Sequence, residues 1–355
     1  MKKGKITGEL KNKSKDLMTV EWKNNQVVMI DQTKLPGKLI FLRYKKYEDV
    51  ARAIERLIVR GAPAIGIAAA FGMSLAAISS KAKTQSALLR DLKIAYDRLR
   101  STRPTAVNLA WALDKIMSVA ASKNNVDDIK KSILLSALNM ATDDITTNKK
   151  LGMNGAGIIH NDDVILTHCN AGSLATVTYG TALGVLRAAN DMGKKIQVVA
   201  TETRPVMQGS RLTAFELDYY NIDVSLIPDT AVGYLMSKGK INRVIVGADR
   251  ILKTGHVYNK IGTYQVAALS KRHNIPFYVA APVSTFDLSS NVNEVVIEER
   301  NKNELIKMGN KLLAPKGIKV FNPAFDLTPP DLITAIITER GILMPPYEES
   351  IAKNI

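Results

Sequence analysis

The only cysteine of this 355-residue chain lies in the stretch DDVILTHCNAGSLATVTYGTAL, between a short apolar run and a segment of small residues. Cys169 is followed by Asn170, Ala171, Gly172 and Ser173. Small residues let backbone N–H groups approach an anion, and a helix that starts here would add positive potential at its N-terminus. We therefore expect residues 170–173 to bind a phosphate, and the same field to lower the pKa of the Cys169 thiol. In the alternative interpretation, Gly172 and Ser173 only form a turn and a helix cap, and Cys169 is a small buried residue.

A second candidate for chemistry is Asp249, which ends the apolar run VIVGAD. A carboxyl at the end of a buried strand is partly shielded from water, so its pKa rises and it can carry a proton at neutral pH. Asp249 is thus a candidate general acid or base. It could instead cap the next segment or pair with Arg250.

Phosphate-binding side chains are predicted at two helix starts. In VRGAPAIGIAAA, Arg60, Gly61 and Ala62 precede a helix whose first turn holds Pro63. The Arg60 guanidinium could clamp a phosphate while the two following amides donate hydrogen bonds to it. Arg103 likewise precedes a predicted helix, in STRPTAVNLAWAL, and is a second candidate for phosphate binding. Either segment could equally be a plain helix start preceded by a surface arginine.

Polar residues that suit a sugar follow two later strand patterns. Gln208, in TETRPVMQGSRLTAFEL, carries an amide that can both donate to and accept from a hydroxyl. Asn259 and Lys260 stand together at a predicted helix start in YNKIGT, and lysine is a compact donor to phosphate or hydroxyl groups. Lys260 could also be an ordinary solvated lysine.

Composition narrows the class of protein. The formal net charge is +16, but six lysines fall within the first fifteen residues, and we expect residues 1–16 to be a flexible basic extension. Elsewhere basic and acidic residues are interspersed without an RNA-binding motif, so a nucleic-acid partner is not expected. One cysteine excludes an internal disulfide, and no uninterrupted apolar run reaches about 18 residues. We therefore expect a cytoplasmic protein without a membrane span.

No metal or organic cofactor is expected. The four histidines have no spacing typical of metal ligands, and a single cysteine excludes the usual zinc sets. The chain also lacks a Walker loop and a GxGxxG motif, so nothing in it predicts a bound nucleotide.

The predicted secondary structure that positions these residues differs between the two parts of the chain. Residues 17–148 predict an N-terminal β element and a helical domain, because β-rich runs give way to apolar residues three and four apart. Residues 149–355 predict a Rossmann-like α/β domain, with a mostly parallel sheet and helices on both faces. Strands are expected near residues 164, 197, 224, 243, 277, 295 and 319, and a helix over residues 174–193. Because ligands bind beyond the carboxyl ends of parallel strands, the candidate residues should converge there.

Several long motifs in this order resemble the 5-methylthioribose-1-phosphate isomerase family. They are RGAPAIGIAAAFG, THCNAGSLATVTYGTALG, ETRPVMQGSRLTAFEL, GADRI and NKIGTYQVAALSKRHNIPFYVAAP, and the resemblance runs from about residue 18 to residue 345. The same superfamily includes the alpha, beta and delta regulatory subunits of initiation factor 2B, and ribose-1,5-bisphosphate isomerase. The N-terminal strand segment, the cysteine of HCNAG and the aspartate of GADRI together favour the methylthioribose branch.

The resemblance implies a role for each matched residue. Cys169 matches the family's catalytic cysteine, and Asp249 matches its catalytic acid–base. The positions that match substrate-binding residues are Arg60, Gly61, Ala62, Arg103, Gln208, Asn259 and Lys260. The implied reaction converts 5-methylthioribose 1-phosphate to 5-methylthioribulose 1-phosphate in methionine salvage. The resemblance also implies a homodimer that binds a sugar phosphate and needs no cofactor.

Two other functions stay open at the level of sequence. An isomerase of ribose 1,5-bisphosphate or 5-deoxyribose 1-phosphate would use the same chemistry with a different pocket for the group on the fifth carbon. A non-enzymatic regulatory subunit would share the fold without the reaction. The joint presence of Cys169 and Asp249 favours an enzyme.

Overall fold

The computed structural model describes residues 16–103 and 106–355. The basic extension predicted at residues 1–16 therefore lies outside the described residues, except for Asp16. The described chain opens with three short strands, β1 (Val20–Lys23), β2 (Gln26–Ile30) and β3 (Phe41–Tyr44). They form an antiparallel sheet in that order, as the β-rich runs predict.

A helical layer follows the small sheet, in agreement with the apolar spacing. Its members are α1 (Tyr47–Glu55), α2 (Ala62–Ser79), α3 (Gln85–Arg100), α4 (Val107–Ala121) and α5 (Val126–Ala156). The side chains of Thr84 and Asn125 cap α3 and α5 by accepting hydrogen bonds from the amides of Ala87 and Asp128. These caps fix where the two helices begin.

Helix α2 is the centre of this layer. By length and composition alone, α2 could cross a membrane. The sequence did not predict this, because the apolar residues of α2 do not form one uninterrupted run. Within the fold 78% of it is buried, and Phe71 and Met73 belong to a core shared with α3 and α4. A core helix passes the same test, and the packing of α2 accounts for its composition.

Most of the remaining strands build one large sheet. In chain order all the remaining strands are β4 (Val164–Thr167), β5 (Gln197–Thr201), β6 (Asp223–Ile227), β7 (Arg243–Val246), β8 (Arg250–Leu252), β9 (Val257–Lys260), β10 (Phe277–Ala280), β11 (Phe286–Asp287), β12 (Lys307–Met308), β13 (Lys311–Leu312), β14 (Phe325–Thr328), β15 (Ala335–Thr338) and β16 (Gly341–Leu343). Seven of them form a sheet in the order β16-β15-β10-β7-β4-β5-β6. The sheet is parallel except for β16, which pairs antiparallel with β15.

Both faces of this sheet are covered. Alternate residues of β7 enter opposite cores, since Ile245 packs in one cluster and Val244 and Val246 pack in another. The helices of this part are α6 (Ala182–Asp191), α7 (Ala214–Tyr219), α8 (Val232–Ser237), α9 (Thr263–Arg272), α10 (Asn303–Ile306) and α11 (Tyr347–Asn354). The predicted Rossmann-like α/β architecture is confirmed. A smaller sheet, in the order β11-β8-β9-β14, lies beside it and was not predicted.

Helix α5 connects the two parts of the fold. The domain boundary predicted between residues 148 and 149 falls inside this helix. Ile133, in its first half, packs in the helical core, whereas Leu151 and Ala156 pack in a core of the large sheet. One continuous helix therefore fixes the helical layer against the sheet.

Two predicted strands and one predicted helix start are wrong. Residues 295–298 and 319–321 are not strands, and Val296 and Phe321 within them are 82% and 86% exposed, so these runs lie on the surface outside the sheet. The helix predicted over residues 174–193 begins only with α6. Positive φ angles of 75° and 87° at residues 179 and 180 interrupt the helical path before it.

Candidate active site

The candidate residues converge on one cavity between the start of α2 and the carboxyl ends of the parallel strands. Of the predicted residues its wall includes Arg60, Gly61, Ala62, Arg103, Cys169, Asn170, Ala171, Gln208, Asp249, Asn259 and Lys260. Gly172 and Ser173 are not part of this wall. Ligands of open parallel sheets bind at this edge, so the position and the residue types point to the same place.

Cys169 stands just after β4 in a constrained conformation. Its φ is +66°, in the left-handed region that side chains seldom adopt. Its N–H donates to Thr203 Oγ1 at 2.9 Å, and its carbonyl accepts from Thr213 Oγ1 at 2.6 Å. Two threonine hydroxyls thus hold the backbone of Cys169 from both sides.

Cys169 is half-buried on the cavity wall. Burial raises its pKa, while the nearby cations Lys260 and Arg60 act in the opposite direction. The prediction of a lowered pKa is therefore wrong, because the helix expected after Ser173 begins only at α6 and because burial disfavours the thiolate. At neutral pH the resting group is a thiol that can donate a proton.

Asp249 lies three residues beyond the end of β7. Burial raises the pKa of its carboxyl against the pull of neighbouring cations, which confirms the predicted direction. Its N–H donates to the carbonyl of Tyr258 at 2.9 Å, which ties the residue to β9. Arg250, the alternative partner considered from the sequence, pairs with Asp287 at 2.9 Å. Asp249 can therefore hold a proton at pH values where an exposed aspartate is ionised.

Gln208 orients the guanidinium of Arg60. In the amide orientation that satisfies both partners, Gln208 Oε1 accepts from Arg60 Nη2 at 2.9 Å and Nε2 donates to the Thr203 carbonyl at 3.2 Å. The other terminal nitrogen, Arg60 Nη1, is buried and has no hydrogen-bond partner among the described residues. Because a buried donor without a partner is costly, an anion in the cavity would stabilise this arrangement.

Gly61 lets α2 start at the cavity wall. Its φ is +92°, and a Cβ at this position would lie 2.4 Å from the backbone of Ala175, so only glycine fits. Gly61 is the N-cap of α2, and no side chain caps this end of the helix. The N-terminus of an 18-residue helix therefore meets the cavity next to Arg60, where its partial positive charge favours an anion.

Asn259 and Lys260 are the last two residues of β9, whereas the sequence predicted a helix start. Lys260 Nζ donates to the Ala324 carbonyl at 2.8 Å and stands 4.4 Å from the centre of the Phe325 ring. Burial lowers the pKa of Lys260, and the nearby Cys169 acts in the opposite direction. These contacts hold the ammonium group at the cavity wall.

Arg103 forms a salt bridge with Glu298, another residue of the cavity wall. Its Nη2 lies 3.3 Å from Glu298 Oε2, and Glu298 also pairs with Arg300 at 2.6 Å. Arg300 pairs in turn with Glu304 at 2.5 Å. An incoming phosphate would compete with Glu298 for the Arg103 guanidinium.

The amides of the small-residue segment bind a carboxylate of the protein itself. Glu216 Oε2 accepts from the Ser173 N–H at 2.6 Å. Its Oε1 accepts from the Leu174 N–H at 3.2 Å and from Asn170 Nδ2 at 2.8 Å. The Ser173 amide is therefore not available to the phosphate for which it was predicted.

His168 joins the cysteine segment to the end of β9. Its Nε2 lies 2.8 Å from the carbonyl of Ile261, which can only accept, so Nε2 carries the proton. Its Nδ1 then accepts from Thr201 Oγ1 at 2.7 Å. Burial lowers the pKa of His168 and favours the neutral ring.

Sequence reasoning missed the groups that support the cysteine, namely Thr203, Thr213 and Glu216. All three lie inside TETRPVMQGSRLTAFEL, a segment already conspicuous for its polar residues. The available signal for Glu216 was its position between Phe215 and Leu217, because a carboxylate in an apolar run is either exposed or paired inside the fold.

Comparison with known sequences extends over nearly the whole chain. The profile of the initiation factor 2 subunit family matches residues 58–345. A methylthioribose-1-phosphate isomerase of Thermosipho africanus is 51% identical over 337 residues, which cover 95% of this chain and 97% of that protein.

Two solved structures share the fold at high identity. A 5-methylthioribose 1-phosphate isomerase from Pyrococcus horikoshii superposes with a TM-score of 0.90 at 44% identity and covers 99% of both chains. A structure titled translation initiation factor eIF-2B, subunit delta, from A. fulgidus superposes with a TM-score of 0.87 at 49% identity. It covers 95% of this chain and 98% of its own.

Proposed function

The chain belongs to the initiation factor 2 subunit family and, within it, to the sequences named methylthioribose-1-phosphate isomerase, and on this premise we propose that it is an aldose–ketose isomerase. It converts 5-methylthioribose 1-phosphate to 5-methylthioribulose 1-phosphate, as a cytoplasmic homodimer that acts in methionine salvage. The observation that carries the proposal is the convergence of Cys169 and Asp249, whose pKa values burial raises, in one cavity with Arg60 and Lys260.

The phosphate binds at the start of α2 in this proposal. Arg60 Nη1 is a buried donor that has no hydrogen-bond partner among the described residues, and the amides that follow Gly61 add donors at a helix N-terminus. Arg103 supplies a second guanidinium after it exchanges Glu298 for the substrate. A charge-assisted hydrogen bond to one such group contributes about 1.5–3 kcal/mol.

Ring opening comes first, because the anomeric oxygen of the substrate carries the phosphate and the sugar has no free aldehyde. Asp249 donates its proton to the ring oxygen as the bond between that oxygen and the first carbon breaks. The positive charge left on the first carbon is shared with the phosphate-bearing oxygen. Asp249, now a carboxylate, later accepts the proton of the hydroxyl on the second carbon as the ketone forms.

Hydrogen then moves from the second carbon to the first by one of two routes. In a hydride shift the hydrogen moves with its electron pair to the cationic first carbon. In the enediol route the Asp249 carboxylate instead removes the proton from the second carbon. The Cys169 thiol then protonates the first carbon, and the resulting thiolate takes the proton of the hydroxyl on the second carbon as the ketone forms. In the hydride shift Cys169 only stabilises the altered charge, and a water-poor cavity suits both routes. Turnover in D₂O separates them, since only the enediol route exchanges the migrating hydrogen with solvent.

Part of the cavity wall is apolar and suits a methylthio group on the fifth carbon of the sugar. Apolar side chains on this wall include Leu57, Val107, Pro205, Val206 and Ile297. A second phosphate, as in ribose 1,5-bisphosphate, would meet these groups without gaining a matched donor for each of its oxygens. The apolar wall therefore favours the methylthio sugar.

Turnover of the purified protein, followed by proton NMR, tests the proposal. Methylthioribose 1-phosphate, ribose 1,5-bisphosphate and 5-deoxyribose 1-phosphate are supplied at equal concentrations, with Asp249→Asn protein as the control for background conversion. We expect kcat/KM for the methylthio sugar to exceed that for ribose 1,5-bisphosphate about tenfold or more. Preference for another sugar would overturn the substrate assignment, and a folded protein that converts none of the three would overturn the isomerase.

A regulatory role in translation initiation is the second candidate. It is favoured by one observation, the 49% identity to the A. fulgidus structure titled as an initiation factor subunit. Fold and identity do not separate a binding subunit from an enzyme, but turnover does.

A further inference from the structure

Glu216 is a buried residue behind the cavity, outside the residues of its wall. Burial raises the pKa of its carboxyl group to about 7 against the hydrogen bonds that it accepts, so the ionised and protonated forms are both populated near neutral pH. Its side chain accepts hydrogen bonds from the Ser173 N–H, the Leu174 N–H and Asn170 Nδ2. Three donors around one carboxylate form a concave anion site of the kind that loops offer to phosphates. Here the anion belongs to the chain, and it holds the segment that follows Cys169.

The close fit of this segment depends on Gly172. A Cβ at this position would lie 2.4 Å from Glu216 Oε2 and 2.6 Å from its Oε1. A side chain would push the carboxylate out of the site, so the glycine and the glutamate form a matched pair. The small residues after Cys169 thus accommodate an internal anion.

A chain of hydrogen bonds leads from this carboxylate to the cysteine. Asn170 Nδ2 donates to Glu216 Oε1 at 2.8 Å and to Thr213 Oγ1 at 3.2 Å. The Thr213 hydroxyl, which accepts from Asn170, donates its own proton to the Cys169 carbonyl at 2.6 Å. Every donor and acceptor in the chain has one consistent direction.

We propose that Glu216 is a positioning residue, a buried hydrogen-bond acceptor that fixes the 170–174 segment and so holds the Cys169 thiol in the water-poor cavity. This inference rests on the proposed function for its catalytic consequence, whereas its effect on the thiol is independent of any substrate. Glu216 acts through Asn170 and Thr213, because it does not reach the cavity itself.

The single cysteine of the chain makes the test direct. Alkylation of Cys169 by iodoacetamide, followed by mass spectrometry between pH 6 and 10, reports the exposure and the pKa of that one thiol. In the native protein burial raises this pKa, with Lys260 and Arg60 opposing it and Asp249 reinforcing it. We expect Glu216→Gln to alkylate faster at pH 7.5, by about tenfold for each unit by which the pKa falls.

The chain offers a matched control in Asp144. It is a half-buried residue, and burial raises the pKa of its carboxyl group to about 7, as it does for Glu216. It accepts a hydrogen bond from the Val177 N–H at 2.8 Å, and it does not contact residues 170–174 through any hydrogen bond that the structure records for it. Asp144→Asn should change thermal stability while leaving the alkylation profile of Cys169 unchanged. Thr213→Val breaks the same chain without touching the carboxylate and should reproduce the effect of Glu216→Gln, which keeps the test usable if Glu216→Gln fails to fold.

Turnover completes the test. With methylthioribose 1-phosphate we expect Glu216→Gln to lower kcat about 10- to 100-fold and to raise KM by a smaller factor. Glu216→Asp should restore part of the rate. Alkylation profiles of Glu216→Gln and Thr213→Val that superimpose on the native profile would overturn the proposal. So would an equal change in Asp144→Asn. A shifted profile in a protein that isomerises no sugar would support the positioning role and overturn the proposed function instead.

Discussion

The two sides of the cavity are built from different parts of the fold and differ in chemistry. The side formed by the start of α2 carries Arg60 and a helix N-terminus, which bind the phosphate in the proposed function. The side formed by the strand ends carries Cys169 and Asp249, whose pKa values burial raises, which favours the protonated form of both groups. The comparison teaches that binding and proton transfer are separable here, so substitutions on the two sides should affect different kinetic constants.

The largest effect is expected from Asp249→Asn. The amide keeps the shape of the carboxyl but cannot donate the proton that opens the ring, so kcat should fall about 10³-fold with KM changed little. Steady-state kinetics by NMR measure both constants. The fold should be retained, because removing a buried carboxyl that resists ionisation relieves a desolvation cost. Turnover near the native rate would remove Asp249 from the mechanism.

Cys169→Ser should have the next largest effect, a fall in kcat of about 10²-fold. The hydroxyl is harder to ionise and less polarisable than the thiol, while the backbone contacts to Thr203 and Thr213 stay available. The matched control is Thr203→Ser, which keeps the hydroxyl that accepts from Cys169 and should retain most activity. Equal loss in both variants would mean that the backbone position matters and the sulfur does not.

Arg60→Ala tests the opposite side and should mainly raise KM. Loss of one charge-assisted contact of about 1.5–3 kcal/mol corresponds to roughly a 10- to 150-fold rise. Arg60→Lys keeps the charge without the planar fork that Gln208 orients, so its KM should fall between the native and alanine values. If Arg60→Ala lowered kcat as much as Asp249→Asn does, the two sides would not be separable.

The smallest effect on catalysis is expected from Asp144→Asn, which separates burial from function. Burial raises the pKa of Asp144 from its usual value to about 7, so the folded chain binds this proton more tightly than the unfolded chain. Its contribution therefore favours the folded state at low pH and is lost as the pH rises through about 7. Relative to the native protein, Asp144→Asn should gain about 2–4 kcal/mol of unfolding free energy between pH 5 and pH 8, with kcat unchanged.

Urea unfolding of the native and Asp144→Asn proteins at the two pH values measures that gain. A stability difference between the two proteins that stays constant with pH would contradict the buried, protonated state of Asp144. A fall in kcat would place Asp144 among the residues that support the cavity.

The sequence predicted the parts of the site that follow from local pattern. Strand ends such as those before Cys169 and Asp249 were readable from apolar runs, and parallel topology implied that they converge. Local pattern did not reveal that the helix after Ser173 is delayed to α6, because the positive φ angles at residues 179 and 180 depend on tertiary packing. That delay also removed the expected reason for a lowered thiol pKa.

Burial was the main property that the sequence did not provide. Glu216 looked like one more acidic residue in AFEL, although the fold places its carboxylate against the amides predicted for a phosphate. The strands β8, β9 and β14 were likewise missed, since all three are short and β14 pairs with a strand distant in sequence. Lys260 was therefore assigned to a helix start although it lies at a strand end.

The central claim is that one side of the cavity binds the substrate while the other side carries out the reaction. The most direct test is to titrate Asp249→Asn protein with methylthioribose 1-phosphate in a calorimeter and to follow the same sample by NMR. The account predicts binding with a Kd within about threefold of the native KM and no ketose product on the timescale of native turnover. Loss of binding together with loss of turnover would contradict it, because Asp249 would then hold the substrate as well as transform it.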